Sequence, residues 1–68
     1  MTIELNGHAH EGIATVADAV RTALGVADVA SGRGTAVAVN GEVVPQTEWD
    51  RPLSAGDTVE VLTATPGG

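Results

Sequence analysis

The 68-residue sequence contains no cysteine, no lysine, no phenylalanine and no tyrosine, and Trp49 is its single aromatic residue. Without cysteine the chain has no disulfide, no thiolate metal ligand and no sulfur nucleophile of its own. Apolar residues make up 43% of the chain and are mostly Val, Ala, Leu and Ile. A core of such small side chains requires regular secondary structure, and the length allows one domain.

Positive charge is also scarce, because three arginines stand against nine acidic residues and leave a net charge of −6. Repulsion from phosphate disfavours binding to nucleic acid and to anionic membrane surfaces. The same charge would attract a partner with a basic surface, although it also serves simply to keep a small protein in solution. The N-terminus lacks a basic segment followed by an apolar run, and no stretch approaches membrane-spanning length, so we expect a cytoplasmic protein.

The opening segment, MTIELNGHAHEG, predicts a hairpin. Its first five residues alternate between apolar and polar side chains, which is the period of a half-buried strand. The pair Asn6-Gly7 follows, and both residues tolerate the positive φ of a type I′ turn. A second strand is therefore predicted from about His8 to Ile13.

The next segment, TVADAVRTALG, has the period of a helix. Thr15 is a suitable N-cap, Asp18 stands at the third position of a capping box, and Gly25 suits a left-handed C-cap. Ser-Gly-Arg-Gly at positions 31–34 is typical of a loop and is too short for a phosphate-binding P-loop. The predicted core-facing side of the helix consists of Val16, Ala19, Val20, Ala23 and Leu24.

The second half of the chain predicts another hairpin and a final strand. VAVNGEVVP contains the turn pair Asn40-Gly41, and Pro45 should end the returning strand because proline cannot donate to a ladder. Residues 46–50 are compatible with one helical turn that carries Trp49. In the last strand, alternation directs Val59 and Val61 inward and Leu62 outward.

The order ββαββ, with a short helical turn before the final strand, predicts an α+β domain with a mixed sheet and one main helix on one face. Short connections allow the first and last strands to lie side by side and parallel in the middle of the sheet. Ile3, Leu5, Val59 and Val61 would then face the helix. This arrangement is the β-grasp, or ubiquitin-like, architecture.

The sequence resembles the ThiS family of sulfur carriers in thiamine-thiazole biosynthesis. The resemblance rests on VAVNGEVVP, the following EW, the turn segment GDTVEVLTA and the final GG, together with the earlier segments IELNG and TVADAV. It covers nearly the whole chain.

The resemblance implies a mechanism in which the C-terminal carboxylate, here that of Gly68, is adenylylated with ATP and converted to a thiocarboxylate. The implied partners are an adenylylating enzyme similar to ThiF, which uses the ATP, and a thiazole synthase similar to ThiG. The carrier would be a co-substrate and not an enzyme, with no bound cofactor. Gly67 and Gly68 lack Cβ atoms, so backbone alone would enter the partner's catalytic channel.

The chain is therefore divided into a β-grasp domain, residues 1–62, and a flexible tail, residues 63–68. An extended tail reaches on the order of 20 Å, which would leave the domain outside a partner's cleft. Pro66 departs from the small or aliphatic residue that the family resemblance implies, and it biases Thr65 toward extended geometry. Leu62, beside the tail, is the predicted docking contact, and the other predicted partner-binding residues are Thr63, Ala64, Thr65 and Pro66.

Other candidate sites have simpler explanations. His8, His10 and Glu11 suggest metal ligands, but two histidines beside a turn are more often plain surface residues, so no metal site is expected. Asp57 and Glu60 are better explained as solvated charges than as catalytic carboxylates. A lone tryptophan such as Trp49 can anchor an interface, but it more often packs over the edge of the core.

Two alternative functions remain compatible with the pattern. The first is a carrier for another pathway, such as molybdopterin or cysteine biosynthesis, since such carriers share the fold and the Gly-Gly end. The second is a non-catalytic binding module similar to TGS domains, which share part of the second-half pattern but sit within longer chains and need no free Gly-Gly end. An enzyme acting alone is disfavoured because the sequence contains no nucleophile–base pair or cofactor motif.

Overall fold

The computed structural model describes residues 1–25 and 34–63, which form one mixed five-stranded sheet and one α-helix. The strands are β1 (Thr2–Leu5), β2 (His8–Glu11), β3 (Thr35–Val39), β4 (Glu42–Val43) and β5 (Thr58–Thr63). The helix α1 spans Val16–Leu24, and a 3₁₀ turn spans Gln46–Glu48. The predicted loop at 31–33 and the tail residues 64–68 lie outside the described residues.

The sheet order is β2-β1-β5-β3-β4, so the first and last strands lie together in its middle. β1 and β5 are parallel, with Leu5 opposite Val59, while β3 pairs with β5 in the antiparallel sense from Thr35 opposite Thr63 to Val39 opposite Val59. The predicted β-grasp topology is confirmed.

Both predicted Asn-Gly turns have the expected backbone conformation. Asn6 and Asn40 have φ of 50° and 51°, and the glycines that follow, Gly7 and Gly41, have φ of 85° and 84°. Positive φ at both central positions is the signature of a type I′ turn, whose twist matches that of the flanking strands. The strand predicted to reach Ile13 is shorter, because pairing ends at Glu11 opposite Thr2 and Ile13 then turns into the core.

The helix begins and ends at the predicted caps. Thr15 and Asp18 form a complete capping box, and Gly25 closes the helix in the left-handed conformation with φ of 70°. The N–H groups of the first helical turn also find partners in the segment before β5: Ala17 donates to the carbonyl of Trp49 at 2.8 Å. The start of the helix is thereby fixed to the chain that leads into β5.

One side of the sheet and the helix enclose the core. Val16, Ala19 and Val20 of the helix are buried, but Leu24 is 37% exposed and Ala23 is exposed, so the predicted apolar stripe extends one turn too far. Leu24 lies in the last turn, whereas the buried residues of the helix all lie within its first five positions. The buried core is Ile3, Leu5, Ile13, Val16, Ala19, Val20, Val37, Val44, Trp49, Leu53, Val59 and Val61.

Candidate functional site

The central strand β5 leads directly into the predicted reactive tail. Thr63, which the sequence assigned to the tail, still belongs to β5 and pairs with Thr35 of β3. The sheet therefore holds the chain one residue beyond the predicted boundary at residue 62. Gly67 and Gly68, with Ala64, Thr65 and Pro66, lie outside the described residues, so their predicted roles stay predictions.

The side chain of Asn6 extends the pairing between β1 and β5. The backbone N–H of Asn6 donates to the carbonyl of Val59 at 2.9 Å, and its side-chain Oδ1 accepts from the N–H of Val61, also at 2.9 Å. In a parallel ladder the acceptor for Val61 would be the next main-chain carbonyl of β1. The chain turns away at Asn6 and Gly7, so the amide oxygen replaces that carbonyl.

The second Asn-Gly turn, at Asn40 and Gly41, is hydrogen-bonded to the beginning of the same strand. The backbone N–H of Asn40 donates to the carbonyl of Thr58 at 2.7 Å, and its Oδ1 accepts from the N–H of Thr58 at 2.9 Å. Each hairpin turn thus uses one asparagine to make two hydrogen bonds to β5. The sequence predicts only a turn role for these asparagines, whereas in the structure they also hold β5 from both sides.

The carboxylate of Asp57 stabilises the segment before β5 through hydrogen bonds. The prediction that it is simply a solvated charge is therefore incomplete. Its Oδ2 accepts from the backbone N–H of Ser54 at 2.8 Å, and its Oδ1 accepts from Nδ2 of Asn40 at 3.0 Å. The bond from Ser54, followed by that from Asn40, lowers the pKa of the Asp57 carboxyl. Arg51 adds a weaker attraction in the same direction. The carboxylate therefore stabilises the turn before β5 in its charged form, and Glu60 lies apart on an exposed face.

The sheet face opposite the helix carries an apolar patch beside the end of β5. Leu62 is 65% exposed, as its outward prediction requires, and Val43 of β4 is 77% exposed. Residues paired across antiparallel strands share a face, so the register places Ala36 beside Leu62, and Ala38 between Glu60 and Val43. We call this set, Leu62, Ala36, Ala38 and Val43, the outer patch.

Trp49 does not contribute to the outer patch. It is 5% exposed, and its indole Nε1 donates to the carbonyl of Val44 at 3.2 Å, so the favoured prediction of a core-edge tryptophan is confirmed. This bond satisfies the polar atom of a side chain that otherwise packs against apolar residues. An interface role for Trp49 is therefore wrong for the domain as described.

His8, His10 and Glu11 lie on β2, the edge strand farthest from the outer patch. Among residues 1–25 and 34–63, no three histidine, aspartate or glutamate side chains are grouped in a way that holds a metal ion. Glu11 instead accepts a hydrogen bond from Thr2. That bond, and next the N-terminal ammonium group, lower the pKa of the Glu11 carboxyl.

In the same described ranges, no helix has the length and apolar character to cross a membrane.

A mixed sheet with its first and last strands parallel at the centre and one helix across one face define a ubiquitin-like β-grasp protein. The sequence model of the ThiS family matches residues 3–68, and the chain belongs to that family.

The comparison with solved structures agrees with this assignment. The crystal structure of the thiamine biosynthesis protein ThiS from Geobacter metallireducens is similar to this chain, with 29% sequence identity, a TM-score of 0.67 and coverage of 100% of both chains. No curated protein matches the sequence. The expected family resemblance is thus confirmed across essentially the whole chain, and the family match favours a carrier over a TGS-like module.

Proposed function

We propose that this protein is the sulfur carrier for synthesis of the thiamine thiazole ring. The observation that carries the proposal is the ThiS family match over residues 3–68, which includes both the domain and the Gly-Gly segment. The similar crystal structure supports it, since that protein is described as a thiamine biosynthesis protein.

In the proposed reaction, the carboxylate of Gly68 attacks the α-phosphorus of ATP in an activating enzyme similar to ThiF. Pyrophosphate leaves and the carboxylate becomes an acyl-adenylate. A sulfur donor then displaces AMP, and the resulting thiocarboxylate passes its sulfur to a thiazole synthase similar to ThiG. The partners supply the catalytic groups, and the carrier acts as their co-substrate in the cytoplasm.

In this proposal, the domain positions the C-terminal residues for the partner enzymes. β5 is paired on both sides over its first half and is bonded to Asn6 and Asn40, so its end at Thr63 is fixed relative to the outer patch. A partner that docks on this patch would therefore find the tail at a reproducible place. Pre-organisation of this kind lowers the entropic cost of guiding a flexible segment into a channel.

The outer patch supports the docking part of the proposal. Leu62 provides apolar surface that would be removed from water on binding. The side chain of Ala36 beside it is small, so a partner could approach the strands closely. Glu60 and the net charge of −6 favour a partner surface with basic residues around an apolar centre.

Intact-mass analysis of the protein purified from its own cells tests the proposal directly. A population heavier by the difference between one sulfur and one oxygen atom, located to Gly68 by fragmentation, is expected. Reconstitution with candidate enzymes then separates the pathways. Sulfur delivered to molybdopterin or cysteine synthesis, and not to thiazole, would replace the thiamine assignment, and a chain never adenylylated in any reconstitution would remove the carrier assignment altogether.

A further inference from the structure

The two neighbours of β5 end at different points, and this leaves part of a central strand unpaired. On one side, all five residues of β3 pair with β5, from Val39 opposite Val59 to Thr35 opposite Thr63. On the other side, β1 pairs only with Thr58 and Val59, and the side chain of Asn6 then accepts from the N–H of Val61. Beyond that bond, none of the described residues pairs with β5 on the β1 side.

The direction of the free backbone groups follows from the alternation of a strand. The carbonyl of Val59 and the N–H of Val61 both point to the β1 side, because both bond to Asn6. Two residues further on, the N–H of Thr63 points the same way, as does the carbonyl of Val61. Within residues 1–25 and 34–63 these two groups have no strand beside them and form a short open sheet edge, which we call the β5 edge.

An open edge of this kind accepts a further strand through main-chain hydrogen bonds. The β5 edge borders an open surface pocket of about 480 Å³ lined by residues that include Asn6, Gly7, Glu60 and Leu62. Gly7 has no side chain to obstruct an approaching backbone. Glu4 and Glu60, both exposed on the pocket wall, give the surroundings negative charge.

We propose that the β5 edge receives an extended segment of the activating enzyme, one that carries Lys or Arg and occupies the place that β1 vacates at Asn6. The inference rests on the proposed function, because that partner must lie beside β5 to handle the residues that follow Thr63. Glu4 and Glu60 select a basic segment through charge complementarity. Backbone pairing at Thr63 then fixes the register in which the tail enters the channel.

Amide hydrogen exchange in the isotopically labelled full chain tests the pairing, with and without the activating enzyme. In the free protein the amide of Val61 is expected to exchange slowly and that of Thr63 quickly, because only the first has an acceptor. In the complex the Thr63 amide is expected to become protected as well. A Thr63 amide that stays in fast exchange while the enzyme adenylylates the chain normally would overturn the inference and leave the proposed function intact.

Substitution at residue 63 provides a second measurement. Thr63→Pro removes only the N–H that faces the β5 edge, because Thr63 and Thr35 form a pair whose N–H groups point away from each other. We expect its Kd for the enzyme to rise about five- to tenfold, the equivalent of one main-chain hydrogen bond. The control Thr63→Val keeps the N–H, so its Kd should rise much less than that of Thr63→Pro. Equal binding by both variants would contradict the proposal.

Other occupants give different results. Protection of Thr63 that rises with protein concentration in the absence of enzyme would identify a second copy of this chain as the occupant. Protection in the dilute free protein would mean that the chain covers its own edge. Either result overturns the proposed partner segment, and failure of the enzyme to bind the chain at all would remove the proposed function together with this inference.

Discussion

The side-chain oxygen of Asn6 accepts a hydrogen bond from the backbone N–H of Val61 at 2.9 Å, across 55 positions of sequence. The same asparagine supplies the positive φ of the first hairpin turn. One residue thus contributes both to the turn that ends β1 and to the hydrogen bonding of β5 on its β1 side.

Substitutions at Asn6 should separate these two contributions. Asn6→Ala loses the hydrogen bond and strains the left-handed backbone, so it should lower the free energy of unfolding by about 2 kcal/mol. Asn6→Gly relieves the strain and loses only the bond, and we expect about half that loss. Asn6→Asp keeps an acceptor and should be the mildest of the three. Urea unfolding and exchange of the Val61 amide measure the series, and an alanine variant as stable as the parent would show that the bond contributes nothing.

Asp57 should make stability depend on pH at the acidic end. Its pKa is lowered in the folded state, so the unfolded chain takes up the proton first as the pH falls. The stabilisation is therefore complete above the unfolded pKa of about 4 and is lost as the pH falls through the folded pKa. Asp57→Asn should be less stable than the parent at pH about 7, and the difference should shrink at pH about 2. A difference that is the same at both values, measured by urea unfolding, would mean that the carboxylate charge is irrelevant.

Val20 tests the assignment of the helix face. It is 1% exposed, so Val20→Asp places a carboxylate without a partner in the core and should lower the free energy of unfolding by more than about 4 kcal/mol. We expect the domain to unfold. Arg21→Ala is the matched control, because the side chain of Arg21 forms a partly exposed ion pair with Asp18, and its loss should cost less than about 1 kcal/mol. Circular dichroism and thermal melting distinguish them, and a native melting temperature for Val20→Asp would contradict the packing.

Leu62 should matter for binding and not for stability. Because its side chain is 65% exposed, Leu62→Ala should change the free energy of unfolding by less than about 0.5 kcal/mol and should mainly raise the rate of dissociation from the activating enzyme. Leu24→Ala, the same substitution at an exposed position on the helix and outside the outer patch, is the control. Added salt should instead slow association. If Leu62→Ala leaves the dissociation rate unchanged, the docking surface lies elsewhere.

The tail should be needed for chemistry and not for the fold. Deletion of Gly68, and separately Gly67→Val, should leave the melting temperature unchanged, because both positions follow the described end of β5 and terminal residues usually contribute little packing. Both variants should lose ATP–pyrophosphate exchange with the activating enzyme, the first by displacing the reactive carboxylate and the second by adding a branched side chain where backbone must enter a channel. Normal exchange by either variant would argue against the proposed role of Gly68.

The sequence predicts the local parts of this fold well. Asn-Gly pairs, a capping box and alternation each depend on neighbouring residues, and the structure confirms the two turns, the helix ends and the outward side of Leu62. The burial of Val44 and Leu53 is harder to predict, because both lie outside the helix and strands, where the sequence has no regular alternation of apolar and polar residues. Which side chains are buried there depends on the tertiary path of the chain. The bond from the N–H of Val61 to the side chain of Asn6 is also not predictable from local sequence, because it depends on the register of two strands from opposite ends of the chain.

The central position of β5 also makes folding of the domain depend on a strand near the C-terminus. The last strand is the middle of the sheet, and the first strand has no parallel neighbour until it arrives. During synthesis, β1 and β2 emerge long before the strand that joins them to β3, so the domain closes only after β5 has been made. A chain truncated before β5 would lack the strand that joins its two hairpins. The architecture thus makes completion of the sheet depend on synthesis of β5.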